Sequence, residues 1–314
     1  MKNKDMELQK YDGNIHPDEW INDLQTYFNI KNLLVNLINI ARSLVDPSIS
    51  LPNEIHDLES FRNALKEDIT FTIFKNTNRR MLQSLNYIPE REGGKTSKFI
   101  SKFRKLCYNA EINDIEEQKK YLYGTLPTNC FDYFSIEFYK KMKNVNSTVE
   151  LFKEFESIIL EESNLIKNGS IVALKHLASR KYLSSIKNLC YKTGSMTQLV
   201  FVKSPGPDPN SLWRIEFDKN LLLMTMLAEN LMNCNDINNE SHHRYLNWKF
   251  NHSKLENHQG YLKSGDTINL YIEKNKFLRS HDVQFTIGND TFQEVFCHEE
   301  RLGGNDEWCI ELIK

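Results

Sequence analysis

Several things are scarce in this sequence: closely spaced cysteines, glycine and proline, charge of one sign, and long apolar runs. Six cysteines, Cys107, Cys130, Cys190, Cys234, Cys297 and Cys309, stand far apart with no CxxC pair. That pattern suits reduced thiols in an intracellular protein and speaks against a disulfide framework. Twelve Gly and eight Pro are spread over 314 residues, so no segment has the composition of a long disordered linker. No run approaches the roughly 18 apolar residues of a membrane span, and the opening "MKNKDMELQKYDGN" lacks the apolar centre of a signal peptide. The expected location is cytoplasmic, with no transmembrane segment.

Lys and Arg number 40 against 42 Asp and Glu, a formal net charge of -2. Residues 1 to 165 carry 22 against 25, leaving 18 against 17 for residues 166 to 314. Neither half has the broad basic footprint of a nucleic-acid binder, so nucleic acid is not an expected partner.

What is present is enough apolar material, 40% of residues with 11% aromatic, for about two packed domains. Up to about residue 165 the apolar period is helical. In "HPDEWINDLQTYF", Pro17 suits the first helical position, Asp18 and Glu19 favour the positive end of the helix dipole, and Trp20, Leu24 and Phe28 recur every fourth residue. Phe61, Leu65, Ile69 and Ile73 are expected to share a buried face. Phe99, Phe103, Leu106 and Ala110 form another, with Lys98, Lys102 and Lys105 opposite. "STVE" reads as a capping box of Ser147 and Glu150. Six to eight helices are expected here.

After Asn168 the texture changes to short alternating runs, "SIVAL", "LWRIEF", "TINLYI" and "EVFCHE", separated by turn residues. One phrase is written twice, as "NGSIVALKHLASRKYLSS" and "SGDTINLYIEKNKFLRSH". Gly169 and Gly265 lie 96 residues apart, and Trp213 and Trp308 lie 95 apart. Halving the interval places Leu222 between Leu174 and Leu270, and Leu231 between Leu183 and Leu278, with Tyr261 at the tryptophan position. Three repeats of about 48 residues predict a closed β-trefoil. The fold class is therefore a two-domain α plus β protein: an all-α domain over 1–165 and an all-β trefoil over 166–314.

The wording "SGDTINLYI", "KFLRSH", "FQEVFCHEE", "NDEWCIEL" resembles a MIR repeat, the module of protein O-mannosyltransferases and of inositol trisphosphate and ryanodine receptors. The helical half, through "YDGNIHPDEWINDLQTYF" and "EREGGKTSKFISKFRKLCYNAEINDIEEQKKYLYGTLPTN", resembles the capsid region of Ty3/Gypsy-type retrotransposon Gag proteins. That resemblance implies a two-lobed helical capsid-like fold, with lobes over about 10–76 and 84–163, that self-associates. No Cys/His knuckle or basic tail follows it, so genome packaging is not implied.

Catalytic signatures are weak. "GGKTS" has Pro89 where a phosphate loop needs its first Gly. His242, His243, His252 and His258, near Cys234, lack metal-ligand spacing, and adjacent Ser280 and His281 diverge on a strand. The carboxylate pairs Glu161–Glu162 and Glu299–Glu300 fall at helix ends or loops. No enzyme activity and no cofactor are expected. Lys175, His176, Arg180 and Lys181 of the first repeat, with Arg279 and His281 of the third, are the candidate lining of an anionic or sugar-binding surface.

Two functions follow from this reading. One is an intracellular assembly protein, with a Gag-derived self-associating domain joined to a MIR-type recognition module for a protein, glycan or anionic small molecule. The other is a glycan- or phosphorylated-ligand-binding MIR protein whose helical half is a platform.

Overall fold

A computed structural model of the chain describes residues 8–31, 37–127, 133–190, 198–217, 224–228, 249–252, 261–272, 276–299 and 301–314. It divides into two compact units, residues 1–162 and 163–314.

The first unit holds eight α-helices among the described residues: α1 Pro17–Lys31, α2 Leu37–Ser43, α3 Leu58–Glu67, α4 Ile69–Gln83, α5 Thr96–Asn109, α6 Ile115–Gly124, α7 Tyr133–Met142 and α8 Thr148–Glu162. His16 caps α1. Its carbonyl accepts the Trp20 amide at 3.0 Å, the first bond of the helix, and its Nδ1 accepts the Asp18 amide at 3.2 Å, a donor that a helix start leaves open. The expected stripe of Trp20, Leu24 and Phe28 is buried against Phe61, Leu65 and Tyr11. The Trp20 indole donates to the Gln9 carbonyl at 2.8 Å.

The expectation for Phe61 to Ile73 is only half met. Phe61 and Leu65 are fully buried, whereas Ile69 and Ile73 are 65% and 56% exposed. Asp68 is the reason. Its backbone is extended, and its carboxylate accepts the Thr70 amide and so starts a new helix; the phase of the apolar stripe is lost there. The segment 76–84, where two lobes are expected to meet, falls within and just after α4.

Phe99, Phe103, Leu106 and Ala110 are buried as their spacing predicts, and the Tyr87 ring packs edge-on against Phe99, Phe134 and Phe155. Ser147 caps α8 by accepting the Glu150 amide at 3.2 Å, but Glu150 answers the Asn146 amide, one residue earlier than a capping box requires.

The second unit is built from β1 Ile171–His176, β2 Tyr182–Cys190, β3 Gln198–Lys203, β4 Leu212–Phe217, β5 Met224–Ala228, β6 Lys249–His252, β7 Thr267–Ile272, β8 Lys276–Ile287, β9 Asp290–His298 and β10 Trp308–Leu312. Seven antiparallel strands close a barrel in the order β1, β2, β3, β9, β8, β7, β10, with β10 returning to β1. The pair β4 and β5 extends from β1, and β6 pairs with β7.

This barrel overturns the expected trefoil of three equal repeats. The first and last repeats supply all seven ring strands, and two kinds of hydrogen bond recur at matching positions in them. The Gly169 and Gly265 amides donate to the carbonyls of Ile215 and Ile310, both at 2.7 Å. The Trp213 and Trp308 indoles donate to the carbonyls of Leu183 and Leu278 at 2.9 and 3.1 Å. Both glycines have φ near +90°, a conformation that side chains resist. Leucines spaced by 48 carry no such pairing information, because a leucine suits any core. Leu222 and Leu231 lie outside the described residues, and Tyr261 is half-buried. The barrel core collects Val172, Leu174, Leu183, Trp213, Leu270, Leu278, Trp308 and Ile310.

Candidate recognition site on the β unit

The site is organised by the short 3-10 turn Gly304–Asp306 that leads into β10. Asp306 is fully buried. Its Oδ1 accepts the Arg279 Nε at 2.7 Å and lies 2.7 Å from the His298 Nε2, while its Oδ2 accepts the Arg279 Nη2 at 2.8 Å and the Gly303 amide at 2.7 Å. Burial alone would raise the pKa of this carboxyl; the Arg279 fork, the Gly303 amide and His298 outweigh it and hold the group below the usual carboxylate range. The Asp306 carbonyl also accepts the Asn269 side-chain amide at 2.9 Å.

Asn305, one residue earlier, joins the two repeats. Its carbonyl lies 3.0 Å from the His176 Nε2, and its side-chain amide lies 3.2 Å from the His281 Nδ1. A carbonyl only accepts, so Nε2 of His176 carries the proton. Its Nδ1 then accepts from Ser179, whose hydroxyl is at 2.9 Å and whose amide is at 3.3 Å. That tautomer is neutral, in keeping with a pKa that burial pushes below the ordinary histidine value. The half-buried His281 ring lies stacked on Phe296 at 5.2 Å. With Nδ1 accepting from the Asn305 amide, the same logic places its proton on Nε2.

Of the six sequence-predicted residues, His176, Arg279 and His281 meet around Asn305 and Asp306. Arg180 is exposed on the turn after β1, at φ 58°, with its amide donating to the His176 carbonyl. Lys181 donates to the Gln293 side chain at 2.9 Å, and Lys175 sits 3.7 Å from Glu311 and over the Tyr182 ring. The six do not form one cationic patch, since Arg279, Lys181 and Lys175 each have a polar or acidic partner within the unit. Asn305, Asp306, Phe296 and His298 were missed. The first two had a signal, the Asn-x-x-Trp pattern that ends both repeats, Asn210 before Trp213 and Asn305 before Trp308.

Chemically the arrangement offers an aromatic-backed imidazole, and the turn after β1 carries the exposed Arg180; both groups hydrogen-bond hydroxyls or anions. Ser280 takes no part with His281: its hydroxyl donates to the Glu294 carbonyl at 2.9 Å and accepts from Gln293. Among the described residues no cluster of His, Cys, Asp and Glu has the geometry to hold a metal; His242, His243 and His258, and the side chain of His252, lie outside them. Cys107, Cys297 and Cys309 are free thiols. No described helix is long and apolar enough to cross a membrane.

No family model and no curated protein matches the chain. Solved structures similar to it include the SDF2-like protein from Arabidopsis thaliana, at a TM-score of 0.38 and 18% identity over 46% of this chain and 94% of that one. Another is the S. cerevisiae protein O-mannosyltransferase complex bound to its sugar donor, at 0.36 and 15% identity, over 81% of this chain and 42% of that one. The lysenin pore is similar at 0.28 and 14% identity. TM-scores below 0.5 assign neither fold nor function.

Proposed function

We propose that the chain is a non-enzymatic binding protein whose β unit is a MIR-type recognition module for a glycan or a phosphorylated small molecule, with the helical unit as its platform. The observation that supports this is the Asn305 bridge. It holds His176 and His281 from different repeats, backs one imidazole with Phe296, and stands on a salt-bridged carboxylate that fixes the turn. Preorganised donors lose little freedom on binding. The test is the melting temperature of the full chain with panels of oligosaccharides and phosphorylated sugars, repeated with the double variant Arg180→Ala/His281→Ala. A ligand that raises the wild-type melting temperature and leaves the variant unmoved supports the site. An equal shift in both proteins places binding elsewhere.

The second reading, Gag-derived self-association through the helical unit, draws on exposed apolar side chains there. Tyr139 is 81% exposed and Val149 80%, apolar surface that a second copy would cover. Light scattering after size exclusion, over a range of concentration, is expected to show oligomers for the full chain and fewer for Tyr139→Glu. A monomer at every concentration removes this reading.

A further inference from the structure

Two adjoining hollows on the helical unit, of about 290 and 460 Å³, share Gln83 and Tyr121 and make one groove between α4 and α6. We propose that this groove binds a short acidic peptide with an aliphatic anchor, supplied by a partner protein. The floor mixes the apolar Leu82, Tyr121 and Ile73 with the polar Gln83 and Asn76, and Ile73 is the same residue that the helix break at Asp68 turned outward. The rim is cationic. Arg79, Arg80 and Lys120 are all exposed and line the groove, against one carboxylate, Glu117.

Those cations are uncommitted. Among the described residues Arg79 and Lys120 have no ion-pair or hydrogen-bond partner, and Arg80 contacts only the Thr77 hydroxyl, at 3.3 Å. Among the described residues Lys105 pairs with Glu19, Lys140 with Glu137 and Arg91 with Glu162, while exposed Lys98, Lys102 and Arg104 on α5 have no ion pair either; what sets Arg79, Arg80 and Lys120 apart is that they line one groove. Three open cations in a unit whose acidic residues outnumber its basic ones form a local positive field that selects carboxylates. Adjacent guanidinium groups grip a carboxylate with two bonds each. A nucleic acid would need a longer basic track and would leave the apolar part of the floor unused, whereas a peptide of acidic residues with a Leu or Ile satisfies both rim and floor.

The probe is a fluorescein-labelled synthetic peptide of about twelve residues patterned in Glu and Leu at helical spacing, titrated with full-length protein and followed by anisotropy. Saturable binding is expected for the wild type. It should weaken at least tenfold with the double variant Arg79→Glu/Arg80→Glu, with Lys120→Glu, with Ile73→Asp, and when Gln replaces Glu in the peptide. The Lys120 variant lies on a different helix, so agreement between it and the arginine pair separates loss of the site from damage to α4. Absence of saturable binding to the wild type overturns the proposal, as does equal binding by all variants. Sedimentation showing a dimer abolished by Ile73→Asp would assign the groove to a second copy. Preferential binding to vesicles containing phosphatidylserine, lost in the arginine variant, would assign it to a membrane; either result overturns the peptide.

Discussion

Two histidines, one in each unit, are held neutral by burial. His16 and His176 are each 1% exposed, and each uses Nδ1 as an acceptor. Burial is the largest influence on His16 and lowers its pKa; Lys66 adds to this, while Asp18, Glu111 and Glu19 oppose it without prevailing. For His176 burial again leads, with His281 in the same direction and the Asn305 carbonyl and Asp306 opposed. Both folded pKa values therefore lie below the ordinary value near 6.5. The unfolded chain binds these protons first, so stability is full above about pH 6.5 and declines as pH falls from there toward the folded values. Urea denaturation at pH 7.5 and 5.5 should show this loss. His16→Asn keeps a capping oxygen but does not titrate, and its stability should fall less over the same interval; an identical fall would mean that His16 is not one of the groups responsible.

At the scale of elements, the turn Gly304–Asp306 matters beyond its three residues. Asp306 neutralises Arg279 inside the β unit, and an unpaired buried guanidinium is costly. Asp306→Ala should therefore lower stability by about 3–5 kcal/mol, read as a shift of the denaturation midpoint. Arg279→Met combined with Asp306→Ala should be less harmful than Asp306→Ala alone; a more severe double variant would show that the carboxylate serves the turn and not the arginine. Much of the element pattern was legible in the sequence, because Trp20, Leu24 and Phe28, or Phe99, Phe103 and Leu106, state their period directly. The break at Asp68 was less so: "KEDITF" continues an apolar rhythm, and only the cap on Thr70 interrupts it. The candidate site was legible as residue types but not as roles. His176, Arg279 and His281 are visibly polar within strands, yet nothing near Arg279 in the chain announces Asp306, which lies 27 residues on.

The whole molecule shows what the repeat could and could not establish. A two-part layout, helices and then strands, follows from a change of apolar period near residue 165. Gly169 with Gly265, and Trp213 with Trp308, correctly reported a duplicated structure because each needs one backbone conformation or one hydrogen bond. The leucine spacing carried less, since hydrophobicity alone fixes no strand partner, and Leu222 and Leu231 lie outside the described residues. The closing pair of strands has a further consequence, for the order of folding. β1 and β10 zip together from Val172 with Leu312 to His176 with Trp308, and the Ile313 amide donates to the Ile171 carbonyl. During synthesis that edge of β1 has no mate until nearly the whole unit has left the ribosome. Contacts so distant in sequence are slow to form, and an open strand edge invites the wrong neighbour. Ending the chain before β10, at Glu307, should therefore yield aggregated protein in a solubility assay, whereas soluble, cooperative unfolding of that truncation would show that the remaining strands close without it. The barrel's last strand thus acts as a latch on its first, and the nascent β unit depends on staying clear of partners until the latch arrives.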